Sequence, residues 1–182
     1  MLCFLGLTVV AGCGLADRPV PKPNPANPAL DQPLTLVGRQ LASANGAVEI
    51  WELANPTPGV AGSAISHTLS SPVKRILGVH ALAGVGGRGA PVGVGVGGTA
   101  ISVDVPSQAG ALVLDVLFSQ NSTTAHTAGA GQTDRWNLNT SGGTNNLRGT
   151  GSSEAGAPTT TMSWTSVSTT HHALLAVSYN PH

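Results

Sequence analysis

From Leu34 onward, apolar and polar residues alternate in short runs that end in Gly, Pro, Ser, Thr or Asn. A period of two marks a strand with one buried face. Leu34 to Gly38 is a short run of this kind. Ala47 to Leu53 puts Val48 and Ile50 on one face and Glu49 and Trp51 on the other. Ser63 to Leu69 alternates Ile65, His67 and Leu69 against Ala64, Ser66 and Thr68, and Arg75 to Ala83 is more continuously apolar, as a central strand should be. Ala100 to Val105 follows, then Ala111 to Phe118, where Leu112, Leu114, Val116 and Phe118 share a face and Asp115 falls among Val113 and Leu117 on the other. Gln132–Leu138, Leu147–Glu154, Thr159–Ser166 and Ala173–Tyr179 complete the series. About nine or ten strands at this spacing, with no helical period, predict an all-β protein. The expected architecture is a two-sheet antiparallel β-sandwich of jelly-roll or Greek-key type with an extended N-terminal arm.

Gly84 to Gly98 is rich in glycine but is not a phosphate loop. No Gly-Lys-Ser/Thr follows it and no helix pattern opens after it. Val92-Gly93-Val94-Gly95-Val96 reads instead as a strand with one apolar and one bare face, and a bare face lets another backbone come close.

The N-terminus divides from this pattern. Residues 1–14 are apolar, residues 15–33 are rich in Pro, and 34–182 form the sandwich domain. The first segment has three readings. Val10-Ala11-Gly12-Cys13 has the small-residue pattern of a lipobox, with Cys13 as the lipidation candidate, although no Lys or Arg precedes the apolar run. Residues 2–11 also read as a buried strand, with Leu2, Phe4, Leu5, Leu7, Val9 and Val10 as its apolar set. Third, the segment is an internal strand of a longer product. The run is too short for a membrane-spanning helix, which needs ~20 apolar residues. Alternating prolines in Arg18–Pro33 block helix and remove ladder donors, so this arm is extended. It is either a spacer or a tether that carries the apolar strand to a neighbouring subunit's sheet.

Charge changes the picture more than size does. Only 9% of the 182 residues are charged, against roughly a quarter in average domains. Eight basic and eight acidic residues cancel, so no basic stripe exists to capture nucleic acid. A chain near zero net charge has little self-repulsion and associates readily. Both cysteines, Cys3 and Cys13, lie outside the sandwich segment, which removes a Cys-rich zinc site there.

Four motifs occur in order: Trp51-Glu52-Leu53-Ala54-Asn55-Pro56, Gly131-Gln132-Thr133-Asp134-Arg135-Trp136-Asn137, Gly149-Thr150-Gly151-Ser152-Ser153-Glu154-Ala155-Gly156-Ala157 and Thr161-Met162-Ser163-Trp164. On these, residues 34–180 resemble a family of bacterial extracellular β-sandwich domains found in large surface or secreted proteins. The resemblance implies an extracellular or cell-surface location and a sandwich with further strands before the segment matching Leu34–Gly38. Here residues 2–11 supply that strand, or a partner fills the gap. The resemblance implies no catalytic residues.

Chemistry is sparse. His171 and His172 are adjacent, so on a strand they face opposite ways and do not chelate one metal together. His67, His80, His126 and His182 lack accompanying carboxylate or Cys spacing, and no metal or other cofactor is implied. A glycosidase needs two carboxyls ~5–10 Å apart, and Glu49 and Glu52 lie on opposite faces of one strand. Asp134 and Arg135 are expected to pair with neighbouring strands. No Gly-x-Ser-x-Gly elbow precedes a helix. Trp51, Trp136 and Trp164 are expected as core plugs, with a sugar platform as the weaker alternative. The expectation is therefore a non-enzymatic structural protein of an extracellular assembly, a homo-oligomer or filament joined by strand donation. The alternative is a carbohydrate-binding or adhesive module, held at a membrane only through a lipid on Cys13.

Overall fold

A computed structural model describes residues 3–12, 34–42, 46–54, 74–140, 146–167 and 171–182. Leu2, Cys13, the Pro-rich arm and the Ser63–Leu69 run with His67 lie outside the described residues. The described chain is all β. Its strands are β1 (Cys3–Gly12), β2 (Thr35–Leu41), β3 (Gly46–Leu53), β4 (Arg75–Ala83), β5 (Val85–Arg88), β6 (Val92–Gly97), β7 (Ala100–Pro106), β8 (Leu112–Gln120), β9 (Thr127–Ala128), β10 (Thr133–Asn139), β11 (Leu147–Ala155), β12 (Thr159–Thr165) and β13 (His171–Pro181). No helix among the described residues is long and apolar enough to cross a membrane.

All pairings are antiparallel, and the sheets pack on one another as the alternation predicts. Among the described residues the ladders fall into three groups. A six-stranded sheet runs β10-β11-β8-β13-β5, with β6 also paired to β13. A four-stranded sheet, β2-β3-β1-β4, and a three-stranded sheet, β7-β12-β9, accompany it. The six-stranded sheet lies in the middle. From β8, Leu114, Val116 and Phe118 join Val48, Ile50 and Ile76 of the four-stranded sheet in one apolar cluster. The intervening Val113 and Leu117 join Ile101, Val103, Val105, Met162 and Trp164 of the three-stranded sheet in another. One strand therefore feeds two cores, because successive side chains point to opposite faces.

The glycine alternation in β6 has a visible purpose. Val92, Val94 and Val96 pack on the second cluster. On the other side, a Cβ at Gly95 would collide with the carbonyl oxygen of Leu41, so β2 passes directly over the bare face.

β1 sits inside the four-stranded sheet rather than at its edge. Leu5, Leu7 and Val9 stand opposite Leu53, Trp51 and Glu49 of β3, and opposite Ala81, Val79 and Leu77 of β4. Phe4 stands opposite Leu82, and Val10 opposite both Val48 and Ile76. The segment from Cys3 to Gly12 is one extended strand and does not fold back on itself.

Candidate functional site

The face of the central sheet turned toward β7 and β12 carries two groups of buried polar side chains. The first centres on Asp115, which is 2% exposed. Its place on β8 follows from the strand period, which seats it between Val113 and Leu117 on an otherwise apolar face. Ser152 lies directly across on β11. Its backbone N–H and its hydroxyl both donate to Asp115 Oδ1, each at 2.8 Å. Trp164 Nε1–H donates to Oδ2 at 2.7 Å from β12. Gln132 Nε2–H reaches Oδ2 at 3.4 Å and Ser152 Oγ at 2.6 Å.

Gln132 is presented by a turn. Gly131 has φ +88°, a conformation L side chains rarely adopt, and the Gln132 N–H closes the turn on the Gly129 carbonyl at 3.2 Å. The side-chain oxygen Oε1 accepts from Ser163 N–H at 2.7 Å and Gly129 N–H at 3.2 Å, with Ser163 Oγ at 3.4 Å. Those two backbone donors fix which end of the amide is oxygen. A Cβ at Gly129 would stand 2.6 Å from Oε1, so only glycine brings its N–H this close. Burial pushes the Asp115 carboxyl up to about 6, with the nearby Asp134 charge a minor addition, while the Ser152 and Trp164 hydrogen bonds pull it back.

The second group forms a row across the sheet: His172 and Arg148 both stand opposite Ser119 in the register. His172 Nε2 bonds the Gly98 carbonyl at 2.9 Å. A carbonyl only accepts, so in the neutral ring the proton is on Nε2 and Nδ1 accepts from Ser119 Oγ–H at 2.6 Å. His126 Nε2–H then donates to the same oxygen at 2.7 Å, and its buried Nδ1 has no hydrogen-bond partner. Burial, then the His172 and Arg148 charges, lower His126 to about 4. Arg148 donates to Asn137 Oδ1 at 2.7 Å and to the Thr123 carbonyl, and Asn137 Nδ2–H donates to the His126 carbonyl at 2.8 Å.

Ser119 and His172 have the wiring of a nucleophile and its base, with Gly98 orienting the ring. Both are wholly buried. Their chemistry is to hold β8, β13 and the segment before β9 together.

The residues singled out from sequence are scattered. Trp51 is buried and donates to Glu49 at 3.0 Å, and Trp164 is buried on Asp115. Trp136 is half-buried, packed against the first apolar cluster. Its indole lies on Gly78, Gly149 and Gly151, where any Cβ would collide with it. Two of the three indoles thus have no exposed face for a sugar. Among the described residues Arg135 forms no ion pair: its Nε–H donates to Ser153 Oγ at 2.8 Å, and Asp134 accepts from Asn137 at 3.2 Å. Glu49 and Glu52 instead pair with Arg39 at 3.4 Å and Arg88 at 3.0 Å. His171 is exposed while His172 is buried. No group of three or more His, Cys, Asp or Glu among the described residues could hold a metal ion. Sequence reasoning missed the convergence of Gln132, Ser152 and Trp164 on Asp115, and the only signal for it is that each of the three sits in one of the four motifs. Compared with known families, curated proteins and solved structures, the chain has no match.

Proposed function

We propose that this chain is a structural, non-enzymatic subunit of an extracellular or cell-surface assembly, joined to its neighbours by exchange of β1. The observation that carries this reading is the position of β1 between β3 and β4, at the centre of a sheet. Withdrawing it opens two unpaired strand edges, which pair readily with another strand.

The connection to the rest of the chain leaves room for exchange. Gly12 stands opposite Gly46, and Thr35 stands opposite Glu52 at the other end of β3. At about 3.3 Å per residue along a strand and ~5 Å between strands, those ends are roughly 22 Å apart. Residues 13–34 span about 65 Å if extended at ~3.1 Å per residue. That length is about three times what insertion into its own sheet requires. Near-zero net charge adds little repulsion between copies.

Cys3 stands opposite Ala83 in the register, which supplies a test. Directly opposed antiparallel residues lie within the Cα separation a disulfide needs. Full-length Ala83→Cys/Cys13→Ser protein is oxidised and run on a non-reducing gel. A ladder of linked copies is expected. A link formed only within single chains, at every protein concentration, sinks strand donation.

A further inference from the structure

We propose that Ser152 and Gln132 join to form an intramolecular ester with loss of ammonia, in a step assisted by Asp115. Every group that such an acyl transfer needs stands at this one place. The nucleophile is Ser152 Oγ, 2.6 Å from the amide nitrogen of Gln132, and the carbon it attacks is one bond away. That separation is shorter than the usual N–H···O range of about 2.7–3.2 Å. The base is Asp115, whose Oδ1 accepts the Ser152 hydroxyl proton at 2.8 Å. The amide oxygen lies under the backbone N–H groups of Ser163 and Gly129, at 2.7 and 3.2 Å, where negative charge would develop. The leaving nitrogen faces Asp115 Oδ2 at 3.4 Å. Trp164 fixes that oxygen with its own hydrogen bond at 2.7 Å.

The step balances without any co-reactant. The Gln132 side chain shifts to bring Cδ onto Oγ while Oε1 stays on the Ser163 and Gly129 N–H donors. As the Oγ–Cδ bond forms, Asp115 takes the Ser152 proton and Oε1 takes the negative charge. The C–N bond then breaks, Asp115 returns the same proton to Nε2, and ammonia leaves. The carboxyl near pH 6 suits both roles, because it is ionised before attack and still basic enough to accept a proton. Holding two reactants at contact replaces a bimolecular encounter, so folding has already met the entropy cost of bringing them together. Ser152 and Asp115 are shielded from water, which protects the ester from hydrolysis. Gln132 is only half-buried, so ammonia has an exit on that side. The product ties the turn before β10 covalently to β11, whatever the chain assembles with.

The test is peptide mapping of the full-length protein. Trypsin cuts after Arg88, Arg135 and Arg148, so Gln132 and Ser152 fall in separate peptides, 89–135 and 149–182. The expected result is a joined pair lighter by one ammonia than the sum of the two. Hydroxylamine should separate it and leave a hydroxamate at residue 132. The pair should be absent from Ser152→Ala and Asp115→Asn. Separate wild-type peptides with intact Gln132 overturn the proposal, as does Glu at 132 without a link. A link that survives in Ser152→Ala overturns it as well. The wild-type map decides the matter even if both variants fail to fold.

Discussion

The two faces of the central sheet are built on opposite principles. Toward β2, β3, β1 and β4 the face is mainly aliphatic and aromatic: Leu114, Val116, Phe118, Leu175 and Val177 meet Val37, Val48, Ile50 and Ile76, with the Glu52–Arg88 ion pair as its charged exception. Toward β7 and β12 the same strands carry Asp115, Ser119, Ser152 and His172 between their apolar residues. Apolar contact has no direction, so the first face tolerates substitutions that conserve volume. Buried hydrogen bonds are directional and costly to leave unmade, so the second face accepts only its own partners. β1 lies in the sheet that packs on the first face, and the turn at Gln132 lies on the side of the second.

The largest expected effect is on the apolar side. Phe118→Ala should cost about 3–5 kcal/mol, since it removes a ring that is 1% exposed. Denaturant unfolding measures it, and a loss under ~1 kcal/mol would mean that the two sheets are loosely packed. On the polar side Asp115→Asn should cost about 1–3 kcal/mol, because the new NH₂ meets donors where a carboxylate oxygen accepted. Asp115→Leu, with every donor orphaned, should cost more than Asp115→Asn. The reverse order would show that the hydrogen bonds are incidental to the packing.

Acid titration separates the two polar groups. His126 is lowered from 6.5 to about 4. The unfolded chain binds its proton more tightly, so stability falls as pH drops through that window. His80, lowered by burial and then by Arg135, adds to the same direction. Asp115, raised from 3.8 to about 6, acts oppositely: its protonation favours the fold as pH falls from 6 to 3.8. The wild type should therefore show a shallow net slope in this range. Asp115→Asn should steepen the acid loss, and His126→Gln should flatten or reverse it. Parallel slopes in all three proteins would contradict these assignments. The smallest effect is expected at Leu138 and Val167, exposed at 53% and 69%. Changing either to Ser should move stability by about 0.5 kcal/mol or less.

Much of the fold was legible because alternation is a local property. Val48 and Ile50 against Glu49 and Trp51, or Leu112 through Phe118 against Asp115, declare their faces within one strand. The valines of β6 and its bare glycine face could be read in the same way. The two-residue β9 and the four-residue β5 could not, since so few positions carry no period and their pairing is set by β12 and β13. The candidate site was hardly legible. Asp115 stands out as an acid on an apolar face, yet nothing in the residues around it names Gln132, Ser152 and Trp164 as its partners.

The amino-acid order by itself determined where the longer strands lie, which side of each is apolar, and where glycine lets the chain turn or another strand pass. Those are consequences of backbone sterics and side-chain period, which act over a few residues. Only the tertiary structure decided how the strands divide among the packed sheets, that β1 lies between β3 and β4, and that Gln132, Ser152 and Trp164, from separate segments, meet at the Asp115 carboxylate. These depend on register between strands far apart in the chain, where burial of whole faces and pairing of buried polar groups select one arrangement from many that the same local pattern allows.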